Sequence, residues 1–402
     1  MKKDSTALLL IFLTVFIDLL GFGLLIPILP AFGLKVLNID EAAIGIVISA
    51  YSFIQFIFNP IFGRISDKRG RKPVIVFCLL LNALGYLLFS ITNSFVLLLL
   101  SRIIAGIGGS SISVAQAYIA DVTTTENRSK GMGIIGSAFG LGFVFGPLLG
   151  GILSEFGYAI VGYVSAGFSL LAFILTSFLL PESLKVKVQN ESEIIQPARV
   201  RKLIDVQSFK IVFKKPDLAL LISLFFVLTF SFANIYGTFA LLGIQVYHFT
   251  DKQNGYMFGI IGLTSAIVQG TLIGTINKYL TKKNIFIISS FLISLNLALI
   301  PYAGNFLGLA IVGFFLSIGT GLFQPTILSL ISEVASEQEQ GMTLGINQSM
   351  SAFARMLGPL WGGFAFEYLG YPFPFLTGAF FTAVIFLISI FYLPQRLKWN
   401  EQ

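Results

Sequence analysis

Ionisable side chains are scarce inside the apolar stretches of this sequence, so those that do occur there are the first candidates for chemistry. Asp18 lies in FIDLLGFGLLIPILP, residues 16–30, about 12 residues or 18 Å into an apolar run at the helical rise of 1.5 Å per residue. A carboxylate near a bilayer centre costs about 2.5–3.5 kcal/mol on insertion scales. Burial disfavours the charged form of any carboxylate, which suits a group that takes up and releases a proton. Two readings of Asp18 follow: a proton carrier, or a structural carboxylate held by hydrogen bonds from neighbouring helices. Asp121, Glu155, Glu333 and Glu367 fall near the ends of apolar runs instead.

Two arginines share this immersion. Arg102, in SRIIAGIGGSS, stands about two turns in from a helix end, within reach of the interface for a side chain that snorkels. Arg355, in SAFARMLGPLWGG, is deeper, and a cation there needs a protein carboxylate, an aromatic face or a substrate group. In the loop GRISDKRGRKP, Asp67 stands among Arg64, Lys68, Arg69, Arg71 and Lys72, where an acid weakens the positive bias. Such a carboxylate can hold a basic partner or a helix N-terminus, as a latch between packed bundles. Gly63 and Gly70 would permit close packing and a tight turn. In GIIGSAFGLGFVFGPLLGGIL, Gly136, Gly140, Gly142, Gly146 and Gly150 leave one helix face nearly bare backbone, and Pro147 adds a bend. That face is read as a seal between two halves, against the plainer alternative of generic tight packing. With one cysteine, Cys78, and one isolated histidine, His248, no cluster for nucleophilic or metal chemistry presents itself. The expectation is a protein that is not an enzyme and needs no metal or cofactor.

The elements that must position these residues are membrane helices. The chain is 55% hydrophobic and 11% charged, with a mean hydropathy of +0.88; soluble domains are about 25% charged. At about 20 apolar residues per crossing, twelve spans are predicted, roughly 6–32, 42–64, 73–91, 95–119, 130–153, 159–180, 217–242, 253–277, 284–303, 305–331, 341–365 and 373–393. The basic start MKKDSTALLLIFLTVFIDLLG is followed by no small-residue cleavage site, so the first span reads as retained. A net charge of +7 sits in short loops, which argues for membrane orientation rather than nucleic acid. Arg64 to Lys72, Arg128, Lys130, the linker bases Lys185, Lys187, Arg199, Arg201, Lys202, Lys210, Lys214 and Lys215, and Lys278, Lys282 and Lys283 share one face; the other holds Lys35 and Lys252. Both termini and the linker are therefore expected in the cytoplasm.

The sequence also repeats. GRISDKRGRKPVIV from Gly63 is echoed by GTINKYLTKKNIFI from Gly274, and Gly146-Pro147 by Gly358-Pro359, about 211 residues apart in each case. The expected fold is an all-α membrane protein of twelve transmembrane helices in two six-helix bundles related by a pseudo-two-fold axis. The bundles are placed at 1–180 and 217–402, with a linker at 181–216 that carries an amphipathic surface helix around RKLIDVQSFKIVFKK.

Four strings in this frame resemble signatures of the major facilitator superfamily, and in particular its twelve-helix tetracycline and multidrug proton antiporters. They are Asp18 through Gly21, Gly23, Pro27 and Pro30; Gly63, Asp67, Gly70, Arg71 and Lys72; Arg102, Gly106 and Gly108; and Gly142, Gly146, Pro147, Gly150 and Gly151. The resemblance implies that Asp67, Arg71 and Asp121 form a charge network remade during transport. It also implies that Arg102 influences proton transfer, and that the Gly142–Gly151 string marks exchange. It places Asp18, Gln116, Tyr118, Asn234, Tyr236 and Gln324 on the cavity, with Arg355 a further candidate.

The second half departs from the loop signature, with Lys278 where the acid would fall. Tetracycline exporters carry further acids in the third and ninth helices, where this sequence offers Asn82 and Asn296; the departure bears on tetracycline as cargo and not on the antiporter class. Pro181–Ser183 is similar to a fragment of a sugar-porter motif that lacks its Pro-Arg. The implied function is proton-coupled export of small amphipathic molecules by alternating access, from a monomer in the plasma membrane with lipids around it. A lipid or metabolite flippase, or a sugar-type symporter or uniporter, is the alternative on the same fold.

Overall fold

A computed structural model describes residues 2–123, 128–183, 206–335 and 340–392. Linker bases Lys185, Lys187, Arg199, Arg201 and Lys202, and the side chains of Arg128 and Lys130, lie outside the described residues. Every regular element among the described residues is helical, and twelve spans follow in order. Span 1 is Lys2–Leu25 continued by Ile28–Lys35; span 2 is Glu41–Arg69; span 3 is Arg71–Ser90; span 4 is Phe95–Gly108 continued by Ser111–Val122; span 5 is Arg128–Leu153; span 6 is Tyr158–Leu179. The short helix Val206–Phe213 precedes span 7, Pro216–Gln245. Span 8 runs Asp251–Ile267, a π turn Val268–Leu272 and Ile273–Tyr279; spans 9 to 12 are Lys282–Leu299, Phe306–Val334, Gln340–Tyr368 and Phe373–Phe391.

Eleven of these helices carry an 18-residue window apolar enough to cross a membrane, and span 11, a 29-residue helix, completes the set. Their starts follow local chemistry. Asp40 accepts from Ala43 N at 2.6 Å to open span 2, Asn305 accepts from Gly308 N at 2.9 Å to open span 10, and Thr250 and Gln253 form a reciprocal capping box at span 8. Span 1 was expected to be unbroken and is interrupted at Pro27, which lacks the N–H that would continue the ladder. Span 2 outruns its expected end and stays helical to Arg69, because backbone hydrogen bonding continues where the apolar run stops. Gly70 then turns the chain at φ +99°, a conformation glycine adopts without strain.

The packing shows the two bundles. Span 1 packs on spans 5 and 6, and span 3 on spans 4 and 6; span 7 packs on spans 11 and 12, and span 9 on spans 10 and 12. Adding six to each first-half partner gives its second-half equivalent. Between the halves, span 5 meets span 8 and span 2 meets span 11, a pairing that the same operation exchanges.

These two contacts are closed at one end and parted at the other. At the end remote from the basic loops, a Cβ on Gly151 would lie 2.9 Å from Gly255 Cα, and one on Gly363 would lie 3.0 Å from Gly45 Cα, so backbone meets backbone. Around this seal, Lys35 pairs with Asp251 at 2.7 Å and Lys252 with Glu155 at 3.2 Å, each pair crossing between the halves. Tyr158 Oη donates to Asp251 Oδ2 at 2.6 Å. Near mid-depth the halves still touch, with Gly262 against Val144 and the rings of Phe56 and Phe353 6.4 Å apart. Towards the basic face, a Cβ on Gly63, Gly136, Gly270, Gly274 or Gly345 would meet nothing within 4 Å among the described residues. Among the described residues, the contacts between the halves are parted towards the basic face. The close packing expected at Gly63 is absent for this reason.

The glycine face of span 5 also needs correcting. Gly142, Gly146 and Gly150 meet Leu19, Gly23 and Leu24 of span 1, inside the first bundle, rather than the other half. A Cβ on Gly146 would lie 2.6 Å from Gly23 Cα. Helical spacing shows that such a face exists but not which neighbour it turns to; the seal between halves falls to Gly151 and the Pro147 carbonyl, one face round. The two substitutions should therefore part company. Gly146→Leu is expected to lower thermal stability by about 1–3 kcal/mol through overpacking on span 1. Gly151→Leu is expected to expose a cysteine placed at Leu148, which packs near Gly259, to a membrane-impermeant thiol reagent from the sealed face. Equal labelling of that cysteine in both variants contradicts the assignment.

Candidate functional site

Asp18 is buried, 5% exposed, and four spans converge on it. Its Oδ1 accepts from Asn82 Nδ2 of span 3 at 2.8 Å and from Ser169 Oγ of span 6 at 3.3 Å; its Oδ2 accepts from Ser111 Oγ of span 4 at 3.1 Å. Local sequence makes this possible. Gly108 brings span 4 onto span 3, where a Cβ would come within 2.6 Å of Asn82 N. The break after Gly108 makes Ser111 the first residue of a new helical segment, and its hydroxyl reaches the carboxylate. Asn82, noted in the sequence as replacing an acid, is the donor that holds the acid of span 1.

The nest suits both protonation states. Ionised, the carboxylate takes all three donors; protonated, it becomes a donor itself, and the hydroxyls of Ser111 and Ser169 can rotate to accept. Arg102 does not pair with it. That side chain is 1% exposed, which overturns the snorkelling alternative, and its guanidinium lies 5.8 Å from the Tyr86 ring centroid and 5.6 Å from that of Phe89. Its Nε donates to Ser101 Oγ at 3.2 Å. The cation is stabilised chiefly by ring faces.

Below the seal, at the level of Asp18, rings bridge the halves. Tyr51 stacks on Phe22 at 4.8 Å, Phe22 meets Phe143 at 6.1 Å, and Phe143 stacks on Tyr236 of span 7 at 6.4 Å. Arg355 of span 11 lies between the contacts of that span with spans 2 and 7: Phe353 meets Phe56 of span 2, and Gly358 meets Asn234 of span 7. Gln116 and Arg355 are half-buried and Gln324 is exposed. Two expected lining residues lie elsewhere. Tyr118 is fully buried in the first bundle and donates through its Oη to the Pro181 carbonyl at 2.9 Å. Asn234 is fully buried, donates to the Pro374 carbonyl and is crowded by Gly358 and Gly362, so it ties spans 7, 11 and 12 together.

At the basic face the structure brings Asp67, Arg71 and Asp121 together. Arg71 Nη1 lies 2.6 Å from Asp67 Oδ1 and donates to Ser66 Oγ at 2.7 Å, while its Nε donates to Asp121 Oδ2 at 2.8 Å. Sequence reasoning missed a third acid. Glu182, just past span 6, accepts from Arg71 N at 2.9 Å and Lys72 N at 3.2 Å, supplying the cap that Gly70 cannot. Ser183 Oγ adds a bond to Asp121 Oδ2 at 3.1 Å. The signal was an acid on a basic face, in a fragment read there as a remnant of another motif. The clasp joins spans 2, 3, 4 and 6, all of the first bundle, and among the described residues no second-half side chain enters it. With the halves parted at this face, a latch between bundles has nothing to reach.

Chains with this arrangement of spans are known. The family model of the Major Facilitator Superfamily matches residues 11–303 and 271–402. The chain is 27% identical over 403 residues to Multidrug resistance protein 2 of Bacillus subtilis (strain 168), covering 100% of this chain and 97% of the relative. It is 27% identical over 361 residues to the class C Tetracycline resistance protein of Escherichia coli, covering 89% of each. The crystal structure of the human organic anion transporter MFSD10 (TETRAN) superposes with a TM-score of 0.71 at 25% identity, covering 96% of this chain and 99% of that one. Twelve spans, two matched bundles and a family match from end to end lead to one conclusion: the chain belongs to the Major Facilitator Superfamily and is a multi-pass membrane transporter of small molecules.

Proposed function

We propose that the chain is a monomeric, proton-coupled antiporter of the plasma membrane that exports small amphipathic organic compounds by alternating access. The basic face is cytoplasmic in this reading, as its lysines and arginines require, and the described conformation is inward-open. Residues 1–180 and 217–402 rock as two bodies about the contacts of spans 2, 5, 8 and 11, while 181–216 connects them on the cytoplasmic side. The names of the multidrug and tetracycline relatives favour export of organic compounds.

The observation that carries the reading is Asp18 at mid-depth, held by donors from three other spans. Hydrogen bonds to a charged group contribute about 1.5–3 kcal/mol each. Neutralising the carboxylate weakens all three together, on the scale of the few kcal/mol that separate two conformations of a transporter. Protonation thereby changes how tightly span 1 is tied to spans 3, 4 and 6, and substrate exchange follows the conformation. At the cytoplasmic face, the Asp67 side chain is 58% exposed although it pairs with Arg71, which leaves it placed to meet the second half as that face closes.

Asp18→Asn, reconstituted in liposomes with an imposed pH gradient, is expected to lose uphill transport while still binding substrate. Uphill transport at the parent rate overturns the assignment. Asp67→Asn is expected to slow turnover several-fold and to increase thiol labelling of cysteines placed along the inner halves of spans 2 and 11. Unchanged labelling contradicts a latch that acts on closure.

A further inference from the structure

The charged group without a counter-charge at mid-depth among the described residues is Arg355, the wrong sign to receive a lipophilic cation. Arg355 lies near the middle of span 11, about 20 Å from either end at 1.5 Å per residue, yet its side chain is half-buried rather than enclosed. A cation at such a depth is stabilised by a carboxylate, by a ring face or by a ligand. The first two do not serve here. Among the described residues, no carboxylate lies within 4 Å of the guanidinium, and the cation–π contacts belong to Arg102. Its hydrogen bond runs from Nη1 to Ser351 Oγ at 2.7 Å, one turn back along its own helix. Asp18 is no substitute, since both its oxygens are committed to Asn82, Ser111 and Ser169.

The surroundings fit a particular ligand. The aromatic chain Tyr51–Phe22–Phe143–Tyr236 crosses from the first bundle to the second, and its end residues stand on spans 2 and 7, which pack on span 11 on either side of Arg355 through Phe56 against Phe353 and Asn234 against Gly358. A guanidinium offers a fork of N–H donors that matches a carboxylate or sulfonate in two parallel bonds. Rings beside it supply an apolar surface for a flat organic body. From this arrangement, and resting on the transport reading above, we infer that the cargo is an amphipathic organic anion whose carboxylate or sulfonate is bound by Arg355 and whose apolar body packs on Phe22, Phe143 and Tyr236. Arg355 then discriminates by charge. An anion gains a partner in the cavity, whereas an organic cation of the same size meets an unneutralised guanidinium.

The test is equilibrium binding to the purified full-length protein in detergent free of added lipid, read by fluorescence anisotropy. Two dyes of similar size serve as probes, the anion fluorescein and the cation ethidium. Fluorescein should bind the parent more tightly than ethidium does. Arg355→Gln should weaken fluorescein at least about tenfold, the scale of a lost charge-assisted hydrogen bond, while leaving ethidium unchanged or stronger. Arg355→Lys keeps the charge without the fork and should fall between, which separates loss of recognition from loss of folding; size-exclusion elution at the parent volume checks each variant. Failure of the parent to bind fluorescein, tighter binding of ethidium, or fluorescein affinity within twofold of the parent in Arg355→Gln would each overturn the inference. Because binding requires neither a gradient nor turnover, these results are independent of proton coupling and export. An anion that binds through Arg355 but does not move against a proton gradient would defeat the antiport reading alone.

Discussion

A carboxylate at the depth of Asp18 has to be solvated by protein, and the first bundle is built around doing so. Its three donors come from three different spans, so the charge is satisfied only when spans 1, 3, 4 and 6 hold their relative positions. Several otherwise unrelated features serve that end. Gly108 lets spans 3 and 4 approach, the break at Gly109 and Ser110 starts a new helical segment at Ser111, and Gly23 against Gly146 seats span 1 on span 5 with backbone at contact distance. The cost of an unpaired buried charge is several kcal/mol, which makes this arrangement sensitive to the protonation of one group.

Span 5 connects that group to the opening of the molecule. One of its faces, through Gly142, Gly146 and Gly150, carries span 1; the adjacent face, through the Pro147 carbonyl and Gly151, closes on Gly255 of span 8. Backbone lies at contact distance on both faces, so span 5 joins the seating of span 1 directly to the seal. The ion pairs around the seal differ: Lys252 and Glu155 are exposed and their pairing is weak, whereas Asp251, which holds Lys35, is largely buried and also accepts from Tyr158. Backbone contact holds the seal, and the rim pairs select its register. The aromatic bridge and Arg355 lie directly beneath, where a ligand touches both halves at once.

Periodicity and composition made the spans, their number and the internal repeat legible, because hydrocarbon thickness sets helix length and the two halves kept parallel punctuation at Gly146-Pro147 and Gly358-Pro359. The immersion of Asp18 was legible for the same reason, as was the grouping of Asp67, Arg71 and Asp121 by the resemblance. What escaped was everything that depends on which way a helix face turns. The glycines of span 5 were assigned to the wrong neighbour, and Tyr118 and Asn234 were placed on the cavity although both are packed between helices of one bundle. Glu182 escaped because its partners, Arg71 and Lys72, are some 110 residues away in sequence. Lys35 and Lys252 were read as sparse exceptions to a charge bias, when each faces an acid of the opposite half.

In the proposed mechanism, protonation of Asp18 sets whether the basic face is open. Spin labels on Gly136→Cys and Gly274→Cys, both sites with free space around them, report that opening as a distance when the buried Cys78 is replaced by alanine. Distance distributions measured by pulsed paramagnetic resonance should shift between about pH 5 and about pH 8, a range that avoids the ordinary titration of lysine and arginine. With Asp18→Asn in the same background, the distribution should be the same at both values. An equal pH-dependent shift with and without the carboxylate would contradict the account.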